Sequence, residues 1–132
     1  MKRGQVKNES FELTNAEVGA WAEREAQDYL ETHGLKFVKR NYHCRSGEID
    51  LVMLDGDIIV FVEVRYRASN HFGAGFETIT NAKRRRLIGA ASSFLARHRR
   101  FSKRCCRFDV VSVTGRNYHL HFLWIRDAFQ NQ

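Results

Sequence analysis

Residues 47–67 read GEIDLVMLDGDIIVFVEVRYR, two apolar runs (49–54 and 58–64) on either side of Asp55-Gly56. Asp-Gly between apolar runs is the strongest short-range signal for a β-hairpin. Three carboxylates, Glu48, Asp50 and Glu63, interrupt the runs. Acids are depleted in strands, and a buried carboxylate is costly unless it is paired or holds a cation. Side chains alternate along a strand, so Glu48 shares a face with Asp50, and Glu63 with Arg65 and Arg67. With a two-residue type I′ turn at Asp55-Gly56, Asp50 falls opposite Phe61 and Glu48 opposite Glu63. All three acids and Arg65 then share one face, whereas an odd loop would scatter them. Asp50 and Glu63 become diagonal neighbours, roughly 7–8 Å apart between backbones. Carboxylates reaching inward from that spacing suit one divalent cation, since magnesium prefers oxygen ligands. The same pattern also describes a solvated edge strand in which Glu63 pairs with Arg65 or Arg67. The run IIVFVEV favours the site: it is apolar on both faces, as in a covered central strand. Glu63 breaks that run where an unpaired charge is hard to tolerate.

GEIDLV followed by FVEVR resembles the metal-binding core of the PD-(D/E)xK nuclease superfamily, which includes restriction enzymes and Holliday-junction resolvases. The closer resemblance is to the YraN-like family of small bacterial proteins, thought to share that fold. It runs from about Gly19 to Phe129 and takes in Gly19, Glu23, Ala26, Lys83 and Arg107-Phe108-Asp109-Val110-Val111. The resemblance implies an α/β restriction-endonuclease-like core, a mixed β-sheet of about five strands flanked by two long helices. It implies a metal-dependent endonuclease acting on DNA or a branched nucleic acid, with magnesium or manganese held by Asp50, Glu63 and the Val64 carbonyl, and Glu48 beside them. Glu23, Arg65 and Lys83 are the implied catalytic groups. The position where the superfamily carries a water-assisting lysine is here Arg65, which keeps the charge but does not deprotonate. That departure keeps a second reading open: a non-catalytic nucleic-acid-binding or adaptor domain on a degenerate nuclease scaffold.

The charge distribution points to the same partner. The net charge is +7, yet residues 1–79 hold 13 acids and 10 bases (−3) and residues 80–132 hold 2 acids and 12 bases (+10). No acid stands between Glu77 and Asp109. One-sided positive charge suits a polyanion, whereas solubilising surfaces mix signs. No apolar run approaches the ~18 residues of a membrane span, and the N-terminus lacks the apolar core of a signal peptide, so a cytoplasmic protein without a membrane partner is expected. The three cysteines, 44, 105 and 106, form neither a disulfide framework nor a zinc spacing.

Residues 1–13 read as a flexible leader and residues 14–132 as one domain. Thr14-Asn15-Ala16-Glu17 is a capping box opening a helix that Gly34 closes. Glu23 and Glu25 fall on opposite shoulders of its apolar stripe, so periodicity does not choose between them; the resemblance selects Glu23. A strand over 35–42 ends in the polar turn 43–47, where His43 is a candidate phosphate or metal contact. Residues 68–78 read as a loop beside the carboxylates, with Phe72 and Phe76. Thr80 or Asn81 caps the second helix. Its apolar stripe leaves Arg84, Arg85, Arg86, Arg97 and Arg100 as the nucleic-acid-binding face, with Lys83 nearer the sheet. Strands follow over 108–113 and 118–125 with a turn at 114–117, and 127–132 reads as a tail or short helix. Exposed His119 and His121 share a strand face.

Neutralising Arg85, Arg86 and Arg97 together will flatten the salt dependence of nucleic-acid binding by about one unit of slope per lost phosphate contact. A titration across salt concentrations checks this, and an unchanged slope removes this helix from the interface.

Overall fold

The capping box forms as the sequence predicts. Thr14 Oγ1 accepts from the Glu17 amide at 3.1 Å and Glu17 Oε1 accepts from the Thr14 amide at 2.8 Å, which satisfies two amides the helix start would leave open. The computed structural model describes residues 13–68, 79–116 and 119–130; residues 1–12 of the leader and the aromatic loop with Phe72 and Phe76 lie outside the described residues. From the capping box runs α1 (Asn15–Thr32). It is followed by β1 (Lys36–Cys44), β2 (Gly47–Asp55), β3 (Ile58–Arg67), α2 (Asn81–Arg97), a 3-10 turn (Arg99–Phe101), β4 (Cys106–Arg116) and β5 (His119–Phe129).

The strands form one sheet in the order β1-β2-β3-β4-β5. Every pairing is antiparallel except β3 with β4. Parallel neighbours need a crossover, and α2 lies within it. Each face of the sheet carries one helix. Ala26 and Leu30 of α1 pack on Leu51, Met53, Val60, Val62, Val111 and Val113. Leu87, Ala90, Ala91 and Phe94 of α2 pack on Val52, Ile59, Phe61 and Phe108. Ile59, Val60, Phe61 and Val62 are at most 1% exposed, so β3 is the doubly covered strand that its unbroken apolar run predicts. The result is the mixed five-stranded α/β fold expected, and it matches a restriction-endonuclease-like core.

Three details differ from the sequence reading. The hairpin turn is not Asp55-Gly56: Asp55 pairs with Ile58, so Gly56 and Asp57 make the turn. Gly56 has φ +60, the positive φ that a type II′ turn requires at its first central position. Asp55 stays in the strand, its carboxylate 3.0 Å from Arg107 Nη1. The loop remains two residues long, so the faces are kept while the register moves by two and sets Val52 opposite Phe61. The expected tail is instead the end of β5, where Phe129 pairs with Phe108 and stacks on it at 4.6 Å. Asp127, at φ +53, marks the irregularity there, and its amide donates to Asp109 at 2.9 Å. The β4–β5 ladder also runs into the expected 114–117 turn, through Arg116 paired with His119. Cys44, Cys105 and Cys106 are free thiols.

Two glycines bring α2 close to the β1–β2 turn. A Cβ at Gly89 would sit 2.7 Å from Ser46 Cβ, and one at Gly47 would sit 3.0 Å from the Arg86 carbonyl oxygen. Alanine ordinarily improves a helix interior by about 1 kcal/mol over glycine. Here Gly89→Ala will instead lower stability, because overpacking costs about 1–3 kcal/mol. Denaturant melts of Gly89→Ala alone and with Ser46→Gly check this, the second change restoring part of the loss.

Candidate active site

The β2–β3 ladder stops at Leu51 paired with Val62. Beyond it the Val64 amide donates to Asp50 Oδ2 at 2.8 Å, so a side chain takes the place of a ladder partner and the two strands fork. The side-chain alternation of β2 breaks at the same point. Ile49 packs in the α2-side core, yet Leu51 and Met53 pack in the α1-side core. On the neighbouring strand Asn41 has φ +56, between Arg40, which donates to Gln27 of α1, and Tyr42, which meets Ser93 of α2 at 2.6 Å. Both strands change faces here, and helices from opposite sides of the sheet reach one opening.

Four side chains converge there. Glu23 of α1 shares a hydrogen bond with the Asp50 carboxyl. Glu63 of β3 is 12% exposed, and its Oε2 lies 3.3 Å from Lys83 Nζ of α2. Burial, then repulsion from Glu63 and Glu23, pushes Asp50 up to about 8, against the Val64 hydrogen bond and the Lys83 charge, which favour the carboxylate. Burial also raises Glu23, opposed by the Asp50 hydrogen bond and the Arg40 charge. A carboxyl–carboxyl hydrogen bond needs a proton, and this crowding supplies the reason to keep one. Glu23 Oε1 is buried and without a hydrogen-bond partner. Among the described residues no three His, Cys, Asp or Glu side chains already stand at metal-ligand geometry.

The remaining expected residues are distributed more widely. Glu48 turns outward to His43 Nδ1 at 3.6 Å, both side chains more than half exposed, and influences the fork only through space, raising Glu23. Arg65 alternates with Val64 and Tyr66, which pack toward α1, and so shares the Glu63 side of β3. Arg85, Arg86, Arg97 and Arg100 are exposed on α2 and the turn after it. Arg84 is set apart from them, half-buried with its guanidinium 5.6 Å from the centre of the Phe129 ring. Sequence reasoning missed Arg40, whose charge acts on Glu23 across the α1 face; a lone arginine in a weakly alternating strand carried no signal for it. Among the described residues no helix is long and apolar enough to cross a membrane.

The matrix of similarity covers this site. Residues 22–113 match the model of the uncharacterised protein family UPF0102. The chain belongs to UPF0102, the YraN-like family. The matched span contains Glu23, Asp50, Glu63, Arg65 and Lys83, so the whole fork lies inside it. A UPF0102 protein of Chromohalobacter salexigens is 56% identical over 111 residues, 84% of this chain and 89% of that protein. One of Nitrosococcus oceani is 46% identical over 117 residues, covering 89% and 94%. One of Legionella pneumophila is 43% identical over 113 residues, covering 86% and 94%. Like them, this UPF0102 chain is spanned by the likeness nearly from end to end.

The raised carboxyls fix a pH dependence. A carboxyl whose folded pKa exceeds its unfolded value binds extra protons when folded, so stability is full below the unfolded pKa, 3.8 for Asp50, and is lost as pH rises toward about 8. In chelator-containing buffer, wild-type protein will melt lower at pH 8 than at pH 5. Asp50→Asn keeps the acceptor for Val64 and will reduce that difference. Thermal melts at the two pH values check both.

Proposed function

We propose that this UPF0102 protein is a divalent-cation-dependent phosphodiesterase acting on DNA or a branched nucleic acid. The observation that carries the reading is the meeting of Asp50, Glu23 and Glu63 at one fork, with the Val64 amide on Asp50 and Lys83 against Glu63. Three carboxyls from α1, β2 and β3 crowd into one fork, and a bound cation would relieve their repulsion. The donors fit: carboxylate oxygens suit magnesium or manganese, and the buried, unpartnered Glu23 Oε1 is an acceptor awaiting a positive partner. Asp50 and Glu63 would hold the ion, with Glu23 beside them. A bound divalent cation supplies Lewis acidity toward a phosphate and a water of lowered pKa.

The chain's own residues supply the rest. The Val64 amide fixes the Asp50 carboxyl in orientation. Lys83 stands 3.3 Å from Glu63, which brings from α2 an ammonium to the fork where the superfamily's strand lysine is replaced by Arg65. Arg65, on the same side of β3, offers a permanent charge to the phosphoryl oxygens as they gain charge. The exposed arginines of α2 track the backbone of the polymer without reading bases.

Arg65 also favours a second reading, a nucleic-acid binder on a nuclease scaffold, because arginine does not shuttle the proton. Purified protein with manganese, assayed on linear, flapped and four-way DNA, separates the two. The enzyme predicts cleavage that vanishes in Asp50→Asn, falls about 10²-fold or more in Lys83→Ala, and survives in Arg65→Lys. It also predicts that manganese raises the melting temperature of wild type but not of the Asp50→Asn, Glu63→Gln double variant. Complete absence of cleavage by wild type on every substrate leaves the binder.

A further inference from the structure

A separate cleft of about 470 Å³ opens on the other flank of α2, lined by Asn81, Arg84, Arg85, Ile88 and Gln130. Residues 81, 84, 85 and 88 recur at helical spacing, so one side of α2 forms one wall, and the end of β5 forms the other. Its volume lies within the range of small-ligand sites, roughly 300–1,000 Å³. Two cations, two side-chain amides and one aliphatic surface are an unusual lining for a structural gap.

Arg84 is the residue whose state calls for a ligand. Its guanidinium lies over Phe129 at 5.6 Å, and its Nε is buried with no hydrogen-bond partner. A buried donor on a charged group is costly to leave unpaired. The Phe129 ring is itself stacked on Phe108. Gln130 Nε2 is tied to Asp127 Oδ2 at 2.8 Å, which fixes that wall. Lys83, Arg84, Arg85 and Arg86 follow one another at the start of α2, whose first turn carries no acid. Cations at a helix N-terminus oppose the dipole and cost stability. They also concentrate positive potential at the mouth of this cleft.

We infer that this cleft binds one nucleotide unit of a strand, its phosphate on Arg84 and Arg85 and its nucleoside against Ile88 between the Asn81 and Gln130 amides. A planar fork suits a phosphate bidentately. An apolar floor bounded by amides suits a base or sugar that presents both a flat surface and polar edges. Phe129 pairs with Phe108 and Phe108 with Phe61, two residues before Glu63, which puts Phe129 and Glu63 roughly 12 Å apart across the sheet. The cleft therefore takes a nucleotide neighbouring the one at the fork. The inference rests on the proposed function for the ligand being a nucleic acid strand, and on the cleft itself for its position.

The test follows the side-chain Nε–Hε resonance of Arg84 by NMR on the full chain in chelator. The probes are the 5′-phosphorylated dinucleotide pTpT, thymidine 5′-monophosphate and inorganic phosphate. The expected result is a saturable shift of that resonance with pTpT and with the monophosphate, and binding of inorganic phosphate at least tenfold weaker. Arg84→Gln and Arg84→Lys should each weaken pTpT by about tenfold, the value of one charge-assisted contact. A silent Arg84 resonance while other signals shift overturns the inference, as does phosphate binding as tightly as pTpT. Cleavage with a silent Arg84 would defeat this inference alone, whereas absent cleavage with intact pTpT binding would defeat only the catalytic reading.

Discussion

The hydrogen bond from the Val64 amide to Asp50, 2.8 Å long, is the contact on which the site depends. Two antiparallel strands in full register leave no opening between them, and prising them apart strands backbone donors that need partners. Asp50 answers one of those donors with its side chain, so β2 and β3 separate beyond Leu51 and Val62 without an orphaned amide at Val64. The opening is what admits Glu23 from one face of the sheet and Lys83 from the other. With a hydrophobic residue in place of Asp50, the α1 and α2 sides would stay screened from each other by the sheet.

Once the carboxyls meet, desolvation and repulsion govern them. Lys83 lies against Glu63, while burial and the neighbouring acids raise Asp50 and Glu23. The perturbation comes from burial and mutual repulsion that no full set of hydrogen bonds offsets. Asp109 provides the contrast inside the same chain. It is 1% exposed, yet it accepts from Arg107, from Trp124 Nε1 at 2.9 Å and from the Asp127 amide. That carboxylate is fully partnered and ties β4 to β5, as a buried charge in a structural role must be. Arg107 is correspondingly spent on Asp55 and Asp109, so the basic C-terminal half is not uniformly available to a polyanion.

Much of this was legible in the chain. The capping box, the doubly apolar β3, the crossover helix and the five-stranded mixed sheet follow from local chemistry that tertiary packing did not override. The turn was displaced by one residue because Asp-Gly can pair Asp in the strand or place it in the turn. The ion pair with Arg107, which arrives from a distant strand, favoured the strand. The end of β5 looked like a tail because Asp127 and Gln130 are polar; the bond from Asp127 to buried Asp109 and the Phe108–Phe129 stack outweigh that composition. The close approach permitted by Gly47 and Gly89 left only a weak mark, a glycine in a helix interior.

The sequence by itself determined which carboxyls interrupt the apolar strands, because an acid in a covered strand is costly enough to stand out in one dimension. It also determined where the positive charge lies, since charge is additive along a chain. Only the tertiary structure decided which of them meet. Periodicity places Glu23 and Glu25 equally well, and Glu48 and Asp50 on one face. The selection of Glu23 and Asp50 comes from the break in alternation at Asp50 and Asn41, a backbone irregularity with no composition of its own. The separation of Arg84 from its neighbours has the same origin: three consecutive arginines are equivalent in sequence, and the aromatic ring that singles one out arrives from the far end of the chain.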